Sequence, residues 1–340
     1  MIRQRRALTP AFFALIVGGI GASFSGNPAK ESVRDELIRR QSETGLTLAT
    51  YYLANLNVVL FSSRSLAETG EHVGDPQSKW VSDKAISLDG QEVAFRLDGP
   101  QATSTFAISH LDGSSRRDYS EIAMPSQMCW SYDRSKLLLS VRDPGLEHTT
   151  LRLMDVTSKA TRDLDSAAYV YLTPQCWSPD GKHAAYETQD PIHRKKDGSS
   201  EIVNATVKLY DFDLNESRQL TKGSAPTWSP DGKHIAFLNH DTYFVITPDG
   251  NARATLFHED AAHSGLIWSP DCRLVAFLSR NHLFEPPILL DVGPVRLRVR
   301  RLSDGFSDWV AQLSDVYLPD FQWLENKELV SRAAYKKALR

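Results

Sequence analysis

One short unit constrains this chain more than any other feature: a tryptophan, a Ser-Pro-Asp-Gly turn and an alternating apolar segment, repeated along the sequence. WSPDGKHAAYE begins at Trp177, WSPDGKHIAFL at Trp228 and WSPDCRLVAFL at Trp268. Weaker copies begin at Ile86 (ISLDGQEVAFR), Trp130 (WSYDRSKLLLS) and Trp323 (WLENKELVSR). The starts are separated by 40 to 55 residues. Periods of that size suit one four-stranded sheet per repeat, stacked around an axis.

The chemistry of each unit agrees. Proline fixes φ early in a turn, aspartate bonds nearby backbone, and glycine takes the positive-φ position. The next segment alternates: in KHIAFL, Ile235 and Phe237 face one side, His234 and Ala236 the other. A third strand follows from Thr242, then an Asp249-Gly250 turn, then a fourth around Ala252 to Phe257. Such a sheet cannot bury both faces alone, so blades stack with their large aromatics between them. Trp130, Trp177, Trp228, Trp268 and Trp323 are therefore read as structural, as are the turn residues Asp180, Gly181, Asp231 and Gly232. Asp89 and Asp271 share that register and are not read as catalytic carboxylates.

Six repeat cores predict an all-β, six-bladed β-propeller of four-stranded antiparallel blades spanning 47–340. The unit at Trp323 has room for two strands before Arg340. The missing pair is sought in Thr47–Ala54 and Asn57–Ser63, so that N-terminal strands pair into the last blade and close the ring. The repeat resembles the TolB-type WD-like propeller family over Ile86 to Val330, most closely at Trp177, Trp228 and Trp268. That resemblance implies architecture, since the same motif is structural in periplasmic binding scaffolds and in the propellers of some peptidases. The α/β domain that precedes the propeller in TolB has no counterpart here. Residues 27–46 read as a linker or one short helix, with a capping-box-like start at Ser32-Val-Arg-Asp35.

Residues 1–26 have a different character. Arg3, Arg5 and Arg6 precede an apolar run from Ala11 to Ala22, followed by Ser23, Ser25 and Gly26. This is the pattern of a secretory signal, with an uncleaved membrane anchor as the alternative. A periplasmic or secreted location is expected, with a membrane tether through 1–26 if the segment is retained. The formal net charge of −3 argues against a broadly basic nucleic-acid-binding surface. Cys129, Cys176 and Cys272 do not form a disulfide framework by count or spacing. Cys129 and Cys176, each preceding a repeat tryptophan, read as small buried hydrophobes. Export would permit a bond between them, although the fold does not require one.

A search for catalytic motifs returns little. There is no Gly-x-Ser-x-Gly elbow. His258 and His263 are five apart where a helical zinc motif needs four, and Asp211-Phe-Asp213-Leu-Asn215 lacks the glycine and glutamate of a calcium loop. No cofactor and no metal are expected. Two connections are long: 189–204, with His193, Arg194, Lys195 and Lys196, and 280–294, with Arg280, His282, Leu283 and Phe284. Both join second to third strands, so both should emerge opposite the Ser-Pro-Asp-Gly turns and form a surface for a protein or peptide. The function expected is an exported, non-catalytic scaffold for protein or peptide recognition in the cell envelope. The alternative is a propeller enzyme, a metal-assisted hydrolase or lyase acting on carbohydrate or peptide.

Overall fold

The computed structural model describes residues 31–44, 46–51, 57–61, 68–72, 81–98, 104–110, 114–119, 125–142, 148–190, 204–259, 264–280, 295–313 and 320–325. Among the described residues one helix, α1 (Val33–Thr44), precedes the strands. Ser32 caps it by accepting the Asp35 amide on its hydroxyl at 3.0 Å, and Asp35 and Glu36 sit in the positive first turn.

The first strands are β1 (Leu46–Tyr51), β2 (Asn57–Phe61) and β3 (Glu68–His72). The next sheet contains β4 (Val81–Ile86), β5 (Glu92–Asp98), β6 (Ser104–His110) and β7 (Arg117–Asp118). It is followed by β8 (Pro125–Trp130), β9 (Lys136–Val141), β10 (Thr149–Asp155) and β11 (Thr161–Ala167), then by β12 (Tyr169–Tyr171), β13 (His183–Gln189), β14 (Ala205–Asp211) and β15 (Glu216–Lys222). The last two sheets of consecutive strands are β16 (Ser224–Trp228), β17 (Ile235–Asn239), β18 (Thr242–Ile246) and β19 (Arg253–His258), and β20 (Ile267–Trp268), β21 (Leu274–Arg280), β22 (Val295–Arg301) and β23 (Ser307–Leu313). The chain is an all-β propeller of four-stranded antiparallel blades.

Consecutive strands supply five complete blades, not the six expected from counting repeats. The Trp323 repeat contributes one strand, β24 (Asp320–Glu325), to a composite sheet ordered β24-β1-β2-β3. In register, Trp323 lies opposite Leu48, and β1 takes the place that the strand after the turn holds in the other blades. The expectation of two strands from each end is corrected to one and three. The third, β3, was missed because Glu-Thr-Gly-Glu-His carries no apolar alternation, and residues 326–340 lie outside the described set.

Blade packs on blade through the repeat tryptophans. Trp130, Trp177, Trp228, Trp268 and Trp323 are all at most 2% exposed. Trp130 packs among Phe106 and Ile108 of the preceding blade, Trp177 against Leu138 and Leu151, and Trp323 against Ile267 and Leu297. Burying each indole removes about 150–250 Å² from water, an upper limit of roughly 4–6 kcal/mol apiece. Three indoles also donate Nε1–H to the carbonyl preceding the neighbouring repeat position: Trp130 to Ala85 (2.9 Å), Trp177 to Cys129 (3.2 Å) and Trp323 to Ile267 (3.4 Å). The indole nitrogens of Trp228 and Trp268 are buried without such a partner among the described residues.

The turns repeat to the atom. Ser178, Ser229 and Ser269 donate to Asp180, Asp231 and Asp271 at 2.6, 2.6 and 2.7 Å, while each serine hydroxyl accepts the amide five residues on. Gly181 and Gly232 adopt φ of +71° and +72°. Arg134 and Cys272 hold the same left-handed position at +59° and +58° in two repeats that lack glycine there, so the serine–aspartate hydrogen bonds maintain the turn despite the strain. The calcium-like Asp211-Phe-Asp213 string is the turn leaving β14, where Asp211 accepts the amides of Asp213 and Leu214.

The reading of Cys129 and Cys176 as separate buried hydrophobes is corrected: they form a disulfide, with Cα atoms 6.5 Å apart. Both precede a repeat tryptophan on the innermost part of adjacent blades. Equivalent inner positions approach one another because blades converge toward the axis.

Candidate functional site

Strand direction gives the propeller two unlike faces. The Ser-Pro-Asp-Gly turns lie on one, and the β13–β14 and β21–β22 connections leave from the other. The predicted binding residues His193, Arg194, Lys195, Lys196, His282, Leu283 and Phe284 lie outside the described residues. Arg280 is the last residue of β21 and pairs with Val295 along the backbone.

At the turn end a buried side chain links the inner parts of two different blades. Gln175 is 5% exposed; its Nε2 donates to the Trp268 carbonyl, and its Oε1 accepts the Trp268 amide, both at 2.8 Å. Those residues belong to blades separated by a third, so the pair ties together blades that are not consecutive in sequence. Thr227 donates to the Leu266 carbonyl at 2.9 Å beside it. The remaining thiol, Cys272, is pushed up to about 11, chiefly by burial, and is protonated at neutral pH.

At the opposite face the innermost strand carries ligand-type chemistry. Tyr169 and Tyr171, two apart on β12, stack with centroids 6.3 Å apart and planes 23° from parallel. The exposed Arg142, leaving β9 of the preceding blade, sets its guanidinium carbon 5.9 Å from the Tyr169 ring. Opposite Tyr171 on β13 is Glu187, 5% exposed, which accepts the Ala225 amide at 2.8 Å and the Gln189 side-chain amide at 2.6 Å. Burial raises the Glu187 pKa above the ordinary carboxylate range, against the pull of those two hydrogen bonds. Burial, then Glu187 and Tyr169, raise the Tyr171 hydroxyl. Backbone crowding holds this rim in place: Ala225 has φ +49°, and a Cβ added to Gly265 would lie 2.6 Å from the Ala225 methyl.

Sequence reasoning missed Arg142, Tyr169, Tyr171, Glu187 and Gln189. The available signal was Tyr-Val-Tyr just before the Trp177 repeat, where the other repeats carry no aromatic pair. Another titratable cluster is a lock between blades: Asp165 of β11 accepts from the Tyr186 hydroxyl and from Lys208 Nζ (2.6 Å), on the middle strands of the next blade. Burial there opposes ionisation, yet those bonds hold Asp165 below the usual carboxylate value. His258 ends β19, Glu259 pairs with Arg298, and His263 lies outside the described residues. Among the described residues, no three His, Cys, Asp or Glu side chains converge closely enough to share a cation. No described helix is long and apolar enough to cross a membrane.

Fold and faces together define a β-propeller that carries a cluster of aromatic and charged groups at the end of an inner strand away from its turns. No family model matches the chain. A stretch of 115 residues is 33% identical to Protein hir1 of Schizosaccharomyces pombe, covering 33% of this chain and 11% of that protein. TolB from Acinetobacter baumannii shares the fold at a TM-score of 0.57 and 15% identity, over 85% of this chain and 70% of that one. A structure assigned to TolB from Agrobacterium tumefaciens gives 0.55 and 15%, over 82% and 98%. An oligogalacturonate lyase in complex with manganese gives 0.51 and 14%, over 85% and 92%. The fold is that of the TolB-type propeller, as the repeat resemblance implied.

Proposed function

We propose that the chain is an exported, non-catalytic propeller scaffold that binds a protein or peptide in the cell envelope. In this reading the composite sheet acts as a sixth blade and seals the ring. The observation that carries the proposal is the Arg142–Tyr169–Tyr171 stack at the end of the inner strand β12 away from the turns. Tyrosine and arginine in a half-buried cluster are the side chains that anchor macromolecular partners, because they bury large area at low entropic cost. The reading also takes His193 to Lys196 and Arg280 to Phe284 as contacts for the same partner, on the strength of their sequence. Export is supported by the pattern of residues 1–26 and by the Cys129–Cys176 disulfide, a bond that persists in oxidising compartments.

The test is affinity capture of the full chain after cross-linking in cells. The intact chain should retain one protein in stoichiometric amount, and the Tyr169→Ala/Tyr171→Ala variant should lose it without a change in melting temperature. A folded double variant that keeps its partner removes this site. N-terminal sequencing of the exported chain separates signal from anchor.

The second reading, a metal-assisted hydrolase or lyase acting on carbohydrate or peptide, is favoured by Glu187. A buried carboxyl with a raised pKa beside a tyrosine is suited to proton transfer. Bound metal by elemental analysis, together with turnover of oligouronates lost in Glu187→Gln, would establish it.

A further inference from the structure

Away from the axis, β22 reads Val-Arg-Leu-Arg-Val-Arg-Arg. Leu297 and Val299 are fully buried against the composite sheet, so Arg296, Arg298 and Arg300 all point the other way, toward β19 of the preceding blade. There the Arg300 guanidinium carbon lies 4.6 Å from the Phe257 ring centre, and Arg298 pairs with Glu259. On the adjoining β23, Trp309 lies opposite Arg298 and Ser307 opposite Arg300. Ser307 Oγ accepts from Arg298 at 3.0 Å, and the Arg296 guanidinium carbon is 5.6 Å from the Trp309 ring centre. Trp309 is 45% exposed, one of three large hydrophobics exposed to at least that degree among the described residues.

This face therefore sets three guanidinium groups against two carboxylates, Glu259 and Asp304, in a chain whose net charge is −3. The arrangement is unfavourable by itself, because like charges on one strand face repel. The Nε atoms of Arg296 and Arg298 are moreover buried without a hydrogen-bond partner among the described residues, a state that native structures seldom keep without a use. Aromatic walls, a forked cation at every second residue and an uncovered tryptophan together suit an anionic ligand.

We infer that the outer surface carried by β19 and β22–β23 binds an extended acidic peptide, with carboxylates at alternate positions meeting Arg296, Arg298 and Arg300 and an intervening side chain lying on Trp309. The spacing selects the ligand. Alternate residues of β22 repeat every ~6.6–6.8 Å, and alternate side chains of any extended peptide share that repeat. The site is separate from the axial cluster, and its test does not depend on that reading.

The experiment is fluorescence anisotropy on the full chain at low salt. The first probe is a labelled heptapeptide of alternating glutamate and threonine; the second has the same composition with its glutamates in one block. The alternating probe should bind more tightly, and its affinity should fall as salt rises. Arg296→Gln should weaken it about tenfold, Arg296→Lys should restore only part of that loss, and Trp309→Ala should weaken it severalfold. Unchanged melting temperatures establish that each variant is folded. Equal affinity for both probes, or no change in folded Arg296→Gln, overturns the assignment. Tighter binding of an oligouronate through the same residues overturns it in favour of an anionic glycan.

Discussion

Gln175 and Trp268 grip each other by a reciprocal pair of 2.8 Å hydrogen bonds, side-chain amide to main chain, across the blade that separates them in sequence. One carboxamide thus satisfies a strand's inner edge where the blades crowd too closely for another strand. Replacing Gln175 with alanine leaves the Trp268 amide and carbonyl buried and unpaired. The expected cost is about 2–4 kcal/mol, read from urea midpoints. Gln175→Glu keeps the shape but sets a carboxylate against the carbonyl, so it should be destabilised at neutral pH and partly recover in acid.

The repeat tryptophans are alike in sequence and unlike in bonding. Trp130 donates to Ala85, whereas the Trp228 nitrogen is buried without a partner among the described residues. Trp130→Phe and Trp228→Phe lose similar area, but only the first also orphans a carbonyl. Trp130→Phe should therefore cost about 1 kcal/mol more in equilibrium unfolding. Equal losses at the two sites would show that the hydrogen bond contributes nothing.

The disulfide closes a loop with a sequence separation of 47. On the chain-entropy account, its removal in a Cys129→Ala/Cys176→Ala variant costs up to about 4 kcal/mol. A thiol titration of the denatured, unreduced chain should find one reactive group, Cys272. Three would show that the bond does not form.

Acid should weaken the fold in two windows. Burial holds His234 below its ordinary 6.5, against the opposing pull of Asp231. The unfolded chain then takes up the proton first, so stability declines as pH falls from about 6.5 through the folded value, and His234→Gln should flatten that decline. Asp180 and Asp231 act in the same sense at lower pH. Burial disfavours their charge, but the serine hydroxyl and the following lysine amide outweigh it and depress both values. Their contribution is present above the ordinary 3.8 and is lost as pH drops through the folded values. Melting temperature against pH, for the parent and His234→Gln, separates the windows.

The sequence alone determined the blade. Trp-Ser-Pro-Asp-Gly and the strand after it are set by contacts within a few residues: a serine–aspartate–amide turn, a left-handed position and a period of two. Local chemistry of that kind survives substitution, as Arg134 and Cys272 show by holding the glycine conformation. Only the tertiary structure decided the rest. Leu48 lies beside Trp323, and Arg142 covers Tyr169. Cys129 meets Cys176 across 47 positions of chain, and Gln175 reaches Trp268 across 93. Such pairings follow from how far each blade rotates about the axis, a property of packed sheets that no local pattern encodes. The axial cluster was hidden for that reason: each of its members is ordinary in its own strand and becomes a site only where the inner edges converge.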